Sequence, residues 1–92
     1  MRNLDKLETL GSNLSYGSVF KKPIYEDQYN YIAILYVAPN SGVKDHFHLE
    51  DSEQYTNLDN GESETCAKGD HHSLDNTSKD KWLLVHARKY KY

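Results

Sequence analysis

Two histidines one position apart, His46 and His48, are the side chains of this sequence best suited to chemistry. They lie in KDHFHLEDSEQ, residues 44–54, and Glu53 follows within the same stretch. Successive side chains of a β-strand point to opposite faces, so the two imidazoles share one face if this segment is extended. Two histidines and a carboxylate from the next strand can hold a divalent transition metal and leave coordination positions open. The spacing therefore predicts a metal site formed by His46, His48 and Glu53.

The donor types leave the identity of the metal open. Imidazole and carboxylate ligands suit zinc, nickel, manganese, iron or copper, and coordination geometry, which the sequence does not give, decides among them. A calcium site is disfavoured, because the acidic stretch LEDSE lacks the spaced Asp, Asn and Gly positions of a calcium loop. The alternative to a metal site is a solvated strand face that carries two histidines by chance.

The charge and composition of the chain disfavour several function classes. With 11 basic and 14 acidic residues, the net charge of −3 provides no basic surface for nucleic acid or an anionic membrane. No apolar run reaches the length of a membrane span, and the N-terminal MRNLDKLETL is unlike a signal peptide, so we expect a cytoplasmic protein. A single cysteine, Cys66, cannot form a disulfide within the chain. The motifs of nucleophilic and nucleotide-dependent enzymes are absent.

The elements that position these residues are predicted to be strands. Eight tyrosines and recurrent turn signals favour a mostly β chain, which we treat as one domain over residues 1–92. Turns at residues 39–42, 59–61 and 68–70 separate predicted strands at residues 18–26, 29–38, 43–49, 54–58, 62–67 and 81–87. The run 29–38 is apolar on both faces and should be central, whereas Pro23 marks an edge strand. Leu4, Leu7 and Leu10 also have the spacing of a short helix over residues 3–10.

Period-two alternation in residues 43–49 predicts which side chains share a face. It places Lys44, His46 and His48 on one face and Val43, Asp45, Phe47 and Leu49 on the other. The core candidates are the large apolar residues Tyr31, Ile32, Ile34, Tyr36, Phe47, Tyr55, Trp82 and Leu84. Any of them that points inwards beside the histidines would shape a ligand pocket.

The stretch APNSGVKDHFHLEDSE resembles the first conserved motif of the cupin superfamily. In that motif a glycine turn leads to His-x-His, then to a glutamate and a further glycine turn. The corresponding residues here are Gly42, His46, His48, Glu53 and Gly61. By this resemblance, the two histidines and the glutamate are metal ligands.

A second stretch, AKGDHHSLDN, resembles the second cupin motif, with Gly69, His72 and Asn76 in place and Ala67 where the family has proline. The resemblance covers about residues 33–87 and implies an all-β fold, a small double-stranded β-helix or jelly-roll barrel, with His72 as a fourth ligand. The region between the motifs is shorter than in the family. A second register therefore stays open, in which His71 or His72 lies in a loop.

Three function classes follow from these patterns. The first is binding of a divalent transition metal, a small polar ligand or both inside the barrel. The second is a metal-dependent enzyme, an isomerase or dioxygenase acting on a small carbohydrate- or carboxylate-like substrate, in which Tyr36, Tyr55 or Glu50 supplies the acid or base. The third is a metal-free structural or sensory barrel. Exposed strand edges at residues 18–26 and 81–89 would also favour a homodimer.

Overall fold

The computed structural model describes residues 6–91, which contain nine strands and no helix. In chain order the strands are β1 Glu8–Thr9, β2 Ser15–Tyr16, β3 Val19–Glu26, β4 Asn30–Val37, β5 Ser41–His46, β6 Ser52–Asn57, β7 Ser63–Cys66, β8 His72–Asn76 and β9 Leu83–Tyr90. The all-β prediction is therefore confirmed for these residues. Accordingly, this part of the chain holds no helical segment able to cross a membrane.

The strands form two antiparallel sheets that enclose the core. The larger sheet has the order β1-β3-β4-β9-β6-β7, and the smaller has the order β2-β5-β8. Alternate residues of β4, namely Ala33, Leu35 and Val37, are buried between them. The central cluster combines residues of both sheets: Val19, Leu35, Val37, Val43 and Val85. Burial of these side chains holds the two sheets together.

The order of the larger sheet confirms one predicted strand position and corrects another. The central strand predicted at 29–38 is β4, which lies between β3 and β9. The predicted edge at 18–26 is β3, which is flanked on its outer side only by the two residues of β1 and has a bulge between Pro23 and Tyr25. The predicted edge at 81–89 is wrong, because β9 is hydrogen-bonded to β4 and β6 along its length. The homodimer stays a prediction, without β9 as its interface.

The short helix predicted over residues 3–10 is wrong for residues 6–10. Residues 3–5 lie outside the described part of the chain. Glu8 and Thr9 pair with β3 as β1, and the Leu10 amide donates to the Val19 carbonyl at 2.9 Å. A helix of two turns is marginal by itself, whereas these backbone groups satisfy an otherwise open strand edge.

The core candidates are also partly wrong, because they lie on the opposite face of their strands. Ile32, Ile34 and Tyr36 alternate with the buried residues of β4 and are only half-buried. Phe47 and Trp82 are 46% and 47% exposed. An apolar pattern on both faces does not show which face the second sheet will cover, and here the smaller side chains face inwards.

The predicted turns are confirmed and bring the two histidine-bearing segments together. The β6–β7 hairpin turns at Gly61 and the chain then turns again at Gly69, with φ angles of 74° and 82°. Glycine adopts this left-handed conformation without steric cost. After the second turn, β8 pairs with β5, so that the segment carrying His72 lies beside the segment carrying His46.

Candidate metal centre

The structure brings all four predicted ligands to one point. Each of His46, His48, Glu53 and His72 offers a donor atom, and these atoms lie within 4.8 Å of one another. Two elements of the smaller sheet and one of the larger sheet supply them, so the site forms between the sheets. The donors are three imidazoles and one carboxylate, a set that suits a divalent transition metal.

The pairing of β5 with β8 positions two of the histidines. His46 is the direct partner of His72 in the register, and their ring centroids are 4.1 Å apart. His48 follows the end of β5, with its ring centroid 5.1 Å from that of His46. The alternative that His72 lies in a loop is therefore wrong, since His72 is the first residue of β8, whereas His71 lies just before that strand.

A β-bulge in β5 sets the direction in which His46 points. The register shifts between Val43 and His46, where β5 has one more residue than its partner strand. As a result, Val43 and His46 line the same cavity, and Lys44 is exposed, its amine donating to the Ser12 carbonyl at 2.8 Å. The predicted alternation was therefore wrong for Val43 and Lys44, although it paired His46 with His48 correctly.

Glu53 is the most buried of the four donors, with 5% of its surface exposed. It lies on β6 and faces its register partners Cys66 on β7 and Lys89 on β9. The Tyr55 hydroxyl donates a hydrogen bond to Oε2 of Glu53, and His72 Nε2 lies 3.3 Å from the same oxygen. Nε2 of His48 contacts the other oxygen, Oε1.

Backbone carbonyls orient two of the imidazoles. Nδ1 of His46 lies 2.7 Å from the Lys44 carbonyl, and Nδ1 of His72 lies 3.1 Å from the Asp70 carbonyl. A carbonyl only accepts, so each Nδ1 carries the proton and each Nε2 presents a lone pair. Metal-bound histidines commonly use this arrangement, in which the second nitrogen is held by a carbonyl or carboxylate.

Two polar atoms in the centre are buried without a hydrogen bond from any described residue. They are Oε1 of Glu53 and Nε2 of His72. Both lie near other donors, but those contacts lack hydrogen-bond geometry. A buried acceptor without a partner costs about 1–3 kcal/mol, so such atoms are rare in a native core. A cation bound between them would satisfy both atoms, and the residues therefore fit a metal.

The environment of His48 favours the protonation state that a metal requires. Burial lowers the pKa of His48 below its ordinary value of 6.5, Glu53 opposes this shift, and the positive charge of Lys89 reinforces it. A neutral imidazole is the metal-binding form. Burial raises the pKa of the Cys66 thiol, with smaller contributions from Glu64, Glu53 and Asp70.

A cavity of about 170 Å³ adjoins the four donors. Its walls are mainly apolar and include Leu10, Leu14, Ala33, Leu35, Val43, Leu74 and Ala87. Tyr31 and Tyr55, two of the core candidates, also line it. The remaining acid–base candidates lie elsewhere: Tyr36 and Glu50 are not among the lining residues.

The site region contains one histidine that is not among the donors and two lysines that the sequence patterns did not identify. His71 is 60% exposed, and its Nδ1 lies 2.9 Å from Asp45, outside the group of four donors. In contrast, Lys21 and Lys89 line the cavity and were not identified as site residues. Alternation with the buried residues of β3 and β9 is the signal that could have identified them.

Solved structures resemble this fold, although no family model and no curated protein matches the sequence. A predicted oxalate decarboxylase from Thermotoga maritima superposes with a TM-score of 0.79 and 19% identity, over 94% of this chain and 92% of that one. The cupin domain of Schizosaccharomyces pombe Cnp3 has a TM-score of 0.75 and 6% identity, over 80% and 61% of the two chains.

A proposed acetylacetone dioxygenase from Methylibium petroleiphilum is similar over 94% of this chain and 70% of its own, with 12% identity and a TM-score of 0.63. Identities this low establish the architecture and leave the activity open. Together with the two packed antiparallel sheets, these likenesses confirm the fold that the motifs predicted. The chain has the double-stranded β-helix fold of the cupin superfamily.

Proposed function

We propose that this protein binds a divalent transition metal through His46, His48, Glu53 and His72, and that the metal holds a small polar ligand in the adjoining cavity. The observation that carries the proposal is the pair of buried atoms, Glu53 Oε1 and His72 Nε2, that lack a hydrogen bond within the described chain. Both belong to the group of donors that lie within 4.8 Å of one another. Zinc, nickel, manganese, iron and copper all accept this donor set.

The arrangement supports ligand binding as well as metal binding. Four side-chain donors leave coordination positions free on an ion that prefers five or six ligands, and the cavity supplies space next to them. A divalent ion there would act as a Lewis acid toward a carbonyl or carboxylate oxygen. Tyr55 would hold Glu53 in place through its hydroxyl, and the apolar walls would exclude water from the ligand.

The test is the melting temperature of metal-stripped protein with and without added metal. A ligand that binds only the folded state at one hundred times its Kd stabilises by about 2.7 kcal/mol. For a domain of this size, that corresponds to a rise of about 10 °C or more. Zinc, nickel, manganese and ferrous iron are each titrated, and elemental analysis of protein purified without an affinity tag identifies the metal acquired during expression.

The double variant His46→Ala/His48→Ala should remain folded and lose the metal-dependent rise. His71→Ala is the matched control, because this histidine is exposed and pairs with Asp45 outside the centre. The proposal fails if the double variant and the control respond to all four metals alike. In that case the cluster is a polar face of a metal-free barrel.

An enzymatic role is the second candidate. It is favoured by the cavity beside the donors and by two structural neighbours that are described as a predicted oxalate decarboxylase and a proposed acetylacetone dioxygenase. Tyr55 is the one acid–base candidate that lines the cavity. Turnover of small dicarboxylates, diketones and sugars by metal-loaded protein, compared with Tyr55→Phe, tests this role. Absence of turnover in the loaded protein would leave binding as the function.

A further inference from the structure

Lys21 and Lys89 lie on strand faces whose other inward residues are apolar. Alternation places Lys21 on the same face of β3 as buried Val19, and Lys89 on the same face of β9 as buried Val85. Both lysines line the cavity beside the metal centre. Both side chains are half-buried, and a half-buried ammonium group is stabilised by contact with water or an anion.

The two amines converge on one aromatic ring. Nζ of Lys21 lies 5.4 Å from the centroid of the Tyr31 ring, and Nζ of Lys89 lies 5.8 Å from the same centroid. The three residues also line a second, outer cavity of about 260 Å³. These three residues therefore border both cavities.

The amine of Lys21 has a carboxylate partner, whereas that of Lys89 has none among residues 6–91. Glu8 lies 3.6 Å from the Lys21 amine. Glu53 is the register partner of Lys89 but directs its oxygens to His48, His72 and Tyr55. Within residues 6–91, no carboxylate forms an ion pair with Lys89, including the acidic residues of the outer cavity, Glu26, Asp27 and Asp51.

We propose that the cavity takes a small carboxylate with a compact apolar body, and that its anionic group lies between the metal centre and Lys89. This inference rests on the metal site proposed above. A divalent ion would add two positive charges beside the one buried carboxylate of Glu53, and Lys89 adds a third. An anionic ligand compensates this excess charge, and a neutral ligand of the same shape does not.

The residues that line the cavity indicate the polarity and size of the part of the ligand beyond its carboxylate. Leu10, Leu14, Val43 and Leu74 line the cavity and offer no hydrogen-bonding side chains. An apolar cavity of ~150 Å³ accommodates a molecule of the size of benzene, and this cavity has about 170 Å³. The body of the ligand is therefore apolar and about as large as one six-membered ring.

Benzoate and its neutral counterpart benzamide are suitable probes. Their binding is measured by calorimetry with zinc-loaded and with metal-stripped protein. We expect zinc-loaded wild type to bind benzoate at least about tenfold more tightly than benzamide, because charge-assisted contacts are stronger than neutral ones. Lys89→Gln should lower the affinity for benzoate by about tenfold or more, and Lys89→Arg should retain most of it.

Lys22→Gln is the matched control. Lys22 is the neighbour of Lys21 on β3, pairs with Ile34 on the outer face and does not line the cavity. Its replacement should leave benzoate affinity unchanged. The inference is overturned if Lys89→Gln and Lys22→Gln bind benzoate equally, if benzamide binds as tightly as benzoate, or if zinc-loaded protein binds neither probe.

The metal site is tested by a different measurement, the zinc-dependent melting temperature. If zinc does not raise the melting temperature of wild type, the metal site is wrong, and with it the placement of the anion between metal and lysine. If zinc raises the melting temperature and benzoate binding is independent of Lys89, the metal site stands and the carboxylate inference is wrong. Lys89→Gln should still show a zinc-dependent rise in melting temperature, since Lys89 is not among the metal donors.

Discussion

The two ends of strand β8 each carry a polar side chain, and only one of the two has all its polar atoms hydrogen-bonded within the described chain. Asn76, its last residue, is buried and hydrogen-bonded throughout: its amide donates to the carbonyls of Val37, Ala38 and Lys81 at 3.0, 3.1 and 2.8 Å. Its side-chain oxygen accepts from the Ser78 amide at 3.1 Å. His72, the first residue, has a buried Nε2 without a hydrogen bond from any described residue.

This difference separates a polar residue with a structural role from one that is available to bind the proposed metal. Asn76 connects the end of β4 to the loop before β9, and its hydrogen bonds offset the cost of burial. Nε2 of His72 and Oε1 of Glu53 lie within the group of four donors and have no hydrogen bond from the described residues. Proteins retain such unsatisfied groups at functional sites at a cost in stability. Asn76 and His72 both belong to the stretch that resembles the second cupin motif, but the sequence pattern does not distinguish their roles.

Replacement of Asn76 should produce the largest effect on folding. Asn76→Ala leaves three backbone carbonyls without their side-chain donor and should lower the free energy of unfolding by about 2–4 kcal/mol. Urea denaturation of metal-stripped protein measures this loss. Thr77→Ala, at the exposed neighbouring position, should change stability by less than about 0.5 kcal/mol. Similar losses in the two variants would show that the Asn76 network is not structural.

Replacement of Glu53 should weaken zinc binding without lowering the stability of metal-stripped protein. Glu53→Gln keeps the shape of the side chain and removes a buried charge, so metal-stripped protein should be unchanged to within about 1 kcal/mol or be more stable. Its zinc affinity should fall by about tenfold or more, because an amide is a poorer ligand than a carboxylate. The two variants are compared by zinc titration and urea denaturation. A loss of stability in stripped Glu53→Gln as large as in Asn76→Ala would contradict the comparison.

A change of pH should have the smallest effect, a gradual change in the stabilisation of the protein by zinc. Protons compete with a metal for the imidazole nitrogens, so the zinc-dependent rise in melting temperature should be complete at neutral pH and shrink on acidification. Burial lowers the pKa of His48, so this ligand should keep its neutral, metal-binding form to a lower pH than an unperturbed histidine. Melting curves from pH 7.5 to about 5 with and without zinc test the direction. A rise that grows as the pH falls would contradict histidine ligation.

The candidate site was more predictable than the placement of the strands around it. His46, His48, Glu53 and His72 were identifiable because strand alternation and the two motif-like stretches act over a few residues. The turns at Gly61 and Gly69 were identifiable because positive φ favours glycine. These signals are local, so the sequence alone determines them.

Sequence reasoning failed where pairing between distant strands decides the outcome. The bulge that turns Val43 inwards exists because β5 must match the register of β8 while bringing His46 opposite His72. The interior position of β9 depends on its pairing with β4 and β6, which lie far apart in the sequence. A local pattern contains no information about either partner.

By itself, the sequence determined that this protein is built from strands, where most of its turns lie and which four side chains could bind a metal. Only the tertiary structure decided which face of β4 forms the core, that the short N-terminal segment pairs as β1, and that Lys89 lines the cavity beside the metal centre. The physical reason is that alternation defines two faces for every strand. The second sheet selects the face that is buried, and with it the charges that a ligand meets.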